Sequence, residues 1–381
     1  MSGSWVDTAR GLQDIVRAGR RQAEEGRRMA PGVLQAVGDA GLFAAFAPTD
    51  VGGSGCTLRE LFEAIEIIAE ADPTVAWHVA NSGIAGLFAA RLSPAHRGTL
   101  YGRRDRPFGN AAVPAGRATP TEGGFRLTGN WPFVTGALDC AWIALGGVVE
   151  EPGSTTGLLD GRVFLAPVEQ VELVRSFDEA TSTRGTGSHG CRCSDLFVPE
   201  HFAVSWAAPL SVDEPLYRLP RATSFVAAIG MVQLGVLRFA LDSTVDAIAG
   251  RVSRGAGSRH VDWPRVQVTI ARAAAVHHSL RHGMFAAADA LWAEATDGAQ
   301  AIRPISKALV YATALEAIDS GRQHVSELSS ISTSSAFVSQ TDADRAMRDA
   351  HAISAGAEIV RFLHYASGQV LAGHEPTVPG F

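Results

Sequence analysis

The period of the apolar residues changes twice along this chain, and that double change limits the architectures open to it. Up to about Arg106 the spacing is helical: Val33 and Val37 lie four apart, and Leu58, Leu61, Ile65 and Ile68 repeat at three, four and three. Thr57 and Glu60 open that second run as a capping box, in which each side chain satisfies a free N–H of the first turn, and Asp72-Pro73 closes it. Between about Pro107 and Trp206 the period drops to two, as in Phe125, Leu127, Gly129 and Trp131 against Arg126, Thr128 and Asn130. Further strands are expected over residues 142–149, 162–166, 171–177 and 189–198. Helical spacing returns beyond Pro220 and lasts to about Ala372, with one stripe through Phe225, Ile229, Val232, Val236 and Phe239. The pattern predicts an α+β protein in three parts. Residues 1–106 form an N-terminal helical domain, residues 107–206 a central antiparallel β-barrel or sandwich of five or six strands, and residues 207–381 a C-terminal four-helix bundle.

With 46% hydrophobic residues, a chain of 381 residues can bury a sizeable core. Only 19% of residues are charged and the net charge is −6, which argues against nucleic acid or an anionic membrane as partner. No apolar run is expected to approach the roughly 20 residues that cross a bilayer. Arg10, Asp14 and Arg17 break the apolar stretches near the start, so a cytoplasmic location is the expectation. Four cysteines are too few for a disulfide framework, and Cys191 and Cys193 lack the Cys-x-x-Cys spacing of a metal site. They read as small apolar side chains, and no metal is expected.

Four segments carry chemistry. Arg184-Gly185-Thr186-Gly187-Ser188 combines two glycines, which let backbone approach a ligand, with two hydroxyls and a cation. Trp131-Pro132-Phe133-Val134-Thr135-Gly136 ends a strand with two aromatic rings and a hydroxyl. Gly109 to Gly116 and Arg345-Ala346-Met347-Arg348-Asp349 are the others. Together with the order helices, β domain, helices, these segments resemble the acyl-CoA dehydrogenase superfamily from about residue 30 to residue 372. The likeness is greatest to its reduced-flavin-dependent hydroxylase branch, which shares all five residues from Arg184 to Ser188.

That resemblance implies FAD or FMN, supplied in reduced form by a separate flavin reductase. It implies that Trp131, Phe133, Thr135, Gly136, Arg184, Gly185, Thr186, Gly187, Ser188 and Arg348 hold the flavin. Phe133 would pack on the ring, and the Thr135 hydroxyl would bond its N5 and O4 edge. Trp77 and His78 would line the substrate cavity, and the hydroxyl-rich run from Ser326 to Ser335 would approach flavin from a neighbouring subunit of a homo-oligomer, a homotetramer or homodimer. Two departures stand out. The dehydrogenases' catalytic glutamate has no counterpart in Tyr365-Ala366-Ser367-Gly368, leaving Glu316 and Glu358 as substitutes, and the hydroxylases' histidine is replaced by Gly356. His351 and His364 are then the candidate catalytic bases beside Thr135. The expected activity is that of an oxygenase component that uses reduced flavin and O2 to hydroxylate a small apolar or aromatic substrate. An acyl-CoA or carrier-bound acyl dehydrogenase or oxidase is the alternative, and a redox-inactive binding protein on the same fold is the second.

Overall fold

A computed structural model describes residues 4–150, 160–252, 257–298, 302–332, 338, 341–378 and 381. Helices α1 (Trp5–Gly26), α2 (Pro31–Asp39), α3 (Leu58–Ala71), α4 (Pro73–Ala89) and α5 (Pro94–Leu100) come first. The Thr57 and Glu60 capping box forms as expected. Asp72 then does two jobs. Its N–H bonds Ile68 to end α3, while its carboxylate accepts from the Thr74 N–H at 2.8 Å and so starts α4, with Pro73 at the first helical position.

Seven strands follow: β1 (Phe108–Thr121), β2 (Gly124–Trp131), β3 (Trp142–Val149), β4 (Asp160–Pro167), β5 (Glu172–Val174), β6 (Gly190–Pro199) and β7 (Ala203–Ser205). They form one sheet in the order β5-β6-β2-β1-β3-β4-β7. The sheet is mixed, because β1 and β3 run parallel while the other pairs are antiparallel. This corrects the antiparallel barrel or sandwich expected from the sequence. A period of two reports which residues face the core and says nothing about strand direction.

Between Ala111 and Gly116 the register of β1 on β3 slips, these six residues of β1 spanning only the three from Leu145 to Gly147 of β3. The excess backbone arches out over Gly146, where an added Cβ would lie 2.2 Å from the Ala112 carbonyl oxygen. Trp131 anchors the arch from the other side. It is 1% exposed, donates its indole N–H to the Gly146 carbonyl at 3.0 Å, and lies across Gly116 and Gly129.

The C-terminal part contains α6 (Pro215–Arg218), α7 (Arg221–Ala249), α8 (Pro264–Thr296), α9 (Pro304–Ile331), α10 (Asp342–Gly356) and α11 (Phe362–Leu371). These helices share one apolar core with α1 to α4, and α7 lies at its centre against α3, α4, α8, α9 and α10. Contrary to the sequence expectation, Ala222–Ala249 is long and apolar enough to cross a membrane, but 89% of its apolar stretch is buried by the surrounding helices. It is the core helix of the bundle. Cys191 is buried, Cys193 half-buried, and all four thiols are unpaired.

Candidate active site

Where the arch of β1 meets the helices, a crevice of about 670 Å³ opens. One wall is Asn110 to Pro114, carried there by the register slip; the opposite wall comes from Trp77 and Asn81 on α4, Phe225 on α7, and the turn from Gly356 to Leu363. Phe133 stands on its rim, 65% exposed. Among the described residues, the lining contains no acid, histidine, lysine or arginine.

Thr135 sits at the base of the Phe133 loop, its backbone bridged to Asn110. Its Oγ accepts the Trp77 indole N–H at 3.2 Å. Indole N–H can only donate, so this bond uses a lone pair of the hydroxyl and not its proton. Behind it, Ser188 Oγ lies 3.5 Å from Thr135 Oγ and 2.7 Å from Thr186 Oγ, which itself donates to the Thr183 carbonyl at 2.8 Å. The three hydroxyls therefore form a line leading from the turn to Thr135, beside Trp77 of the crevice lining.

The rest of the Arg184 to Ser188 turn faces inward. Gly185, Thr186, Gly187 and Ser188 are buried, and Gly187 takes the left-handed φ of 52°. Arg184 donates to the Ala180 carbonyl at 3.0 Å and to Glu24 at 3.2 Å. Arg348 bonds the same Glu24 oxygen at 2.8 Å and Asp344 at 3.0 Å, and Arg345 approaches Glu24 at 3.6 Å. Glu24 is 5% exposed, so three guanidiniums meet on one buried carboxylate. Next to them the Asp349 carboxylate accepts the Thr183 N–H at 2.6 Å. Burial pushes the Asp349 carboxyl up to about 7, outweighing that bond and the neighbouring arginines. Arg184 and Arg348, which the resemblance implies hold the flavin, are both committed here to fastening α10 and the turn to α1. Glu24 was invisible to motif reading, because nothing in α1 marks it apart from a solvated helix glutamate.

Other expected site residues also move. Trp131 is sealed in the sheet, so it supports the Phe133 loop from beneath and does not line the crevice. Gly136 is buried, with φ of 79°. His78 is 1% exposed and lies behind the loop, its Nε2 3.4 Å from the Gly185 carbonyl oxygen and its ring against Gly136. Burial holds its imidazole below the ordinary value, so it is a neutral spacer between two turns and not a substrate contact. His351 is exposed and 3.2 Å from Ser326 Oγ, and His364 is exposed; neither lines the crevice. Glu316 and Glu358 are exposed surface residues bonded to Ser320 and Arg361. Helix periodicity fixes which residues share a face but not what that face meets, which is why these candidates failed. Thr333, Ser334 and Ser335 lie outside the described residues. Ser326 and Ser330 bond the Arg322 and Glu327 carbonyls of their own helix. Gly356 does line the crevice, and a Cβ there would rest 3.5 Å from the Trp77 ring.

Residues 7–95 match the acyl-CoA dehydrogenase N-terminal domain, and residues 227–358 match the acyl-CoA dehydrogenase C-terminal domain. The chain belongs to the acyl-CoA dehydrogenase family. Its relatives within that family include an indole-3-acetate monooxygenase of Pseudomonas putida, 27% identical over 74% of this chain and 71% of the relative. The oxygenase component of an FADH2-dependent resorcinol hydroxylase from a Rhizobium species is 26% identical over 71% of this chain and 69% of its own. Among solved structures, the HsaA monooxygenase of M. tuberculosis superposes with a TM-score of 0.87 at 23% identity, covering 98% of both chains. XiaF from a Streptomyces species, solved with FADH2 and glycerol, gives 0.88 at 23% identity over 99% of this chain and 97% of that one. These likenesses show that this acyl-CoA dehydrogenase family member has the fold of those oxygenases.

The group that the family implies is a flavin, and the residues present fit its ring. The bare face of Phe133 and the polar arch at Asn110 border one crevice whose volume lies within the range of cofactor and ligand sites, and Thr135 sits beside it, bonded to Trp77 of the lining.

Proposed function

We propose that this protein is the oxygenase component of a two-component flavin-dependent monooxygenase, acting on a small apolar or aromatic substrate. The observation that carries this reading is the apolar crevice without a described titratable side chain, bordered by Phe133 and by Trp77, which hydrogen-bonds Thr135. Removal of a substrate α-proton calls for a carboxylate base in contact with substrate, and none of the described lining residues supplies one. The relatives named as monooxygenases and hydroxylases support the same choice.

Phe133, Thr135 and Asn110 would hold FAD or FMN. Bound in reduced form, the flavin supplies the electrons that activate O2. Thr135 would offer its proton to an acceptor atom of the flavin, with Trp77 occupying one lone pair of the hydroxyl. The apolar walls exclude water from the reacting atoms. A separate reductase would deliver the reduced flavin, and the protein would act as a homo-oligomer in the cytoplasm. Exposed Ile305 and Leu309 on α9 and Val268 on α8 support self-association.

Anaerobic titration with reduced FAD and reduced FMN, followed by mixing with 18O2 and an aromatic substrate, tests the reading. Tight binding of one reduced flavin and one labelled oxygen atom in the product are expected. Flavin binding with hydrogen peroxide as the sole product across a panel of aromatic substrates would overturn it.

A further inference from the structure

One buried residue that the chemistry above does not use, His189, holds the Phe133 loop from two sides. It lies where the Arg184 to Ser188 turn runs into β6 and is 0% exposed. Its backbone carbonyl accepts the Val134 N–H at 2.9 Å, next to Phe133 itself. Its side chain reaches the segment before the turn, where Nδ1 accepts the Phe177 N–H at 3.2 Å. Phe177 in turn stands edge-on to the Phe133 ring, with centroids 6.5 Å apart, and edge-on to the imidazole at 6.2 Å. Ser176 closes the same junction by donating to the Pro132 carbonyl at 3.2 Å and accepting the Gly190 N–H at 2.9 Å.

A backbone N–H can only donate, so Nδ1 is the acceptor and the proton of the neutral ring sits on Nε2. A second proton has to go on Nδ1, where it faces the Phe177 N–H, so the charged ring cannot keep this bond. Among the described residues Nε2 has no hydrogen-bond partner; Asp178 Oδ1 lies 3.9 Å away and is held by Arg175 at 2.7 Å. Burial keeps the imidazole below its ordinary value, with Asp178 opposing that shift and Arg175 and Arg27 adding to it. The ring is therefore uncharged at neutral pH and the bond is made; it is lost as pH falls through that lowered value.

We propose that His189 is a positioning residue for the flavin site: as an uncharged acceptor it sets Phe177, and through it the Phe133 ring, and its protonation loosens that support. The proposal rests on the oxygenase reading and adds to it a residue that does not line the crevice. Val134 and Phe177 flank the loop on opposite sides, so one residue fixes both the backbone beside Phe133 and the ring that braces it.

Two measurements on the full chain test this. Labelled with 15N at histidine and phenylalanine, the unaltered protein is expected to show an unprotonated Nδ1 at neutral pH, coupled across the hydrogen bond to the Phe177 amide nitrogen. Anaerobic titration with reduced flavin from about pH 7.5 down to about pH 5 then compares it with His189→Asn, whose amide oxygen replaces Nδ1 as acceptor and does not titrate. The unaltered protein is expected to lose about threefold to tenfold more affinity than His189→Asn, the worth of one hydrogen bond, with the loss centred where the ring signals titrate. Any titration of the flavin itself or of Asp349 is common to both and cancels. His189→Leu, with no acceptor, is expected to bind weakly at every pH. A proton on Nδ1 at neutral pH would overturn the proposal, as would a ring that stays uncharged throughout or parallel affinity profiles. The ring spectrum of the unaltered protein decides the acceptor role even if a variant does not fold. Parallel profiles in a chain that incorporates oxygen sink this proposal alone. The expected profiles in a chain that yields only hydrogen peroxide sink the oxygenase reading alone, and no reduced flavin bound at any pH sinks both.

Discussion

The Trp77 indole N–H donates to the Thr135 hydroxyl across 3.2 Å, joining the first helical layer to the loop that carries Phe133. The two residues lie 58 apart in the chain, and the bond occupies a lone pair of the hydroxyl. Thr135→Val is expected to lower the oxygenation rate about 10²-fold, while Thr135→Ser retains most of it. Trp77→Phe, which keeps the ring and loses the donor, should fall between them; rates under saturating reduced flavin check all three.

Glu24 holds Arg184, Arg345 and Arg348 within ion-pair distance. Glu24→Gln strands partly buried guanidiniums, an effect worth about 3–5 kcal/mol when one partner of a buried pair is removed. A drop of that size in urea-unfolding stability is the expected outcome. An unchanged midpoint would show that water satisfies the three arginines.

Asp349 retains its proton in the folded chain up to about pH 7, whereas its ordinary value is 3.8. Between those values the folded state binds the extra proton, so this group's contribution to stability falls as pH rises across the window and is level above it. Asp349→Asn should therefore flatten the pH dependence of the urea midpoint from about pH 4 to pH 7 relative to the unaltered protein. Parallel curves would count against a buried, protonated Asp349.

Gly146 lies under the arch that presents Asn110. Gly146→Ala puts a methyl 2.2 Å from the Ala112 carbonyl oxygen, and the backbone must shift. A loss of about 1–3 kcal/mol is expected in thermal or urea unfolding, as for other overpacked sites. Ligand binding in the crevice should weaken in step.

His351→Ala is expected to leave the oxygenation rate within about twofold and stability within about 0.5 kcal/mol, because the imidazole is exposed and, among the described residues, bonded to Ser326 alone. A large loss of rate would return His351 to the site.

The change from helical period to period two and back is local, since it depends only on which side of a backbone element faces the core. For that reason the helical regions at both ends, five of the strands and the Thr57 capping box were legible in the sequence. The parallel pairing of β1 with β3, the arch between Ala111 and Gly116, and the three-residue β7 were not, because pairing partners are chosen by distant segments. The same division runs through the site. The family resemblance named Thr135, Phe133 and Trp77, whereas burial and ion pairing turned Arg184, Arg348 and His78 inward and left His351 and His364 on the surface. Charge pairing with Glu24, from a helix about 160 residues earlier than Arg184, is a tertiary event that no local pattern announces. The sequence alone thus determined the kinds of element and the chemistry on offer. Only packing decided which of those groups face the crevice, because desolvation and long-range partners act once the chain has folded.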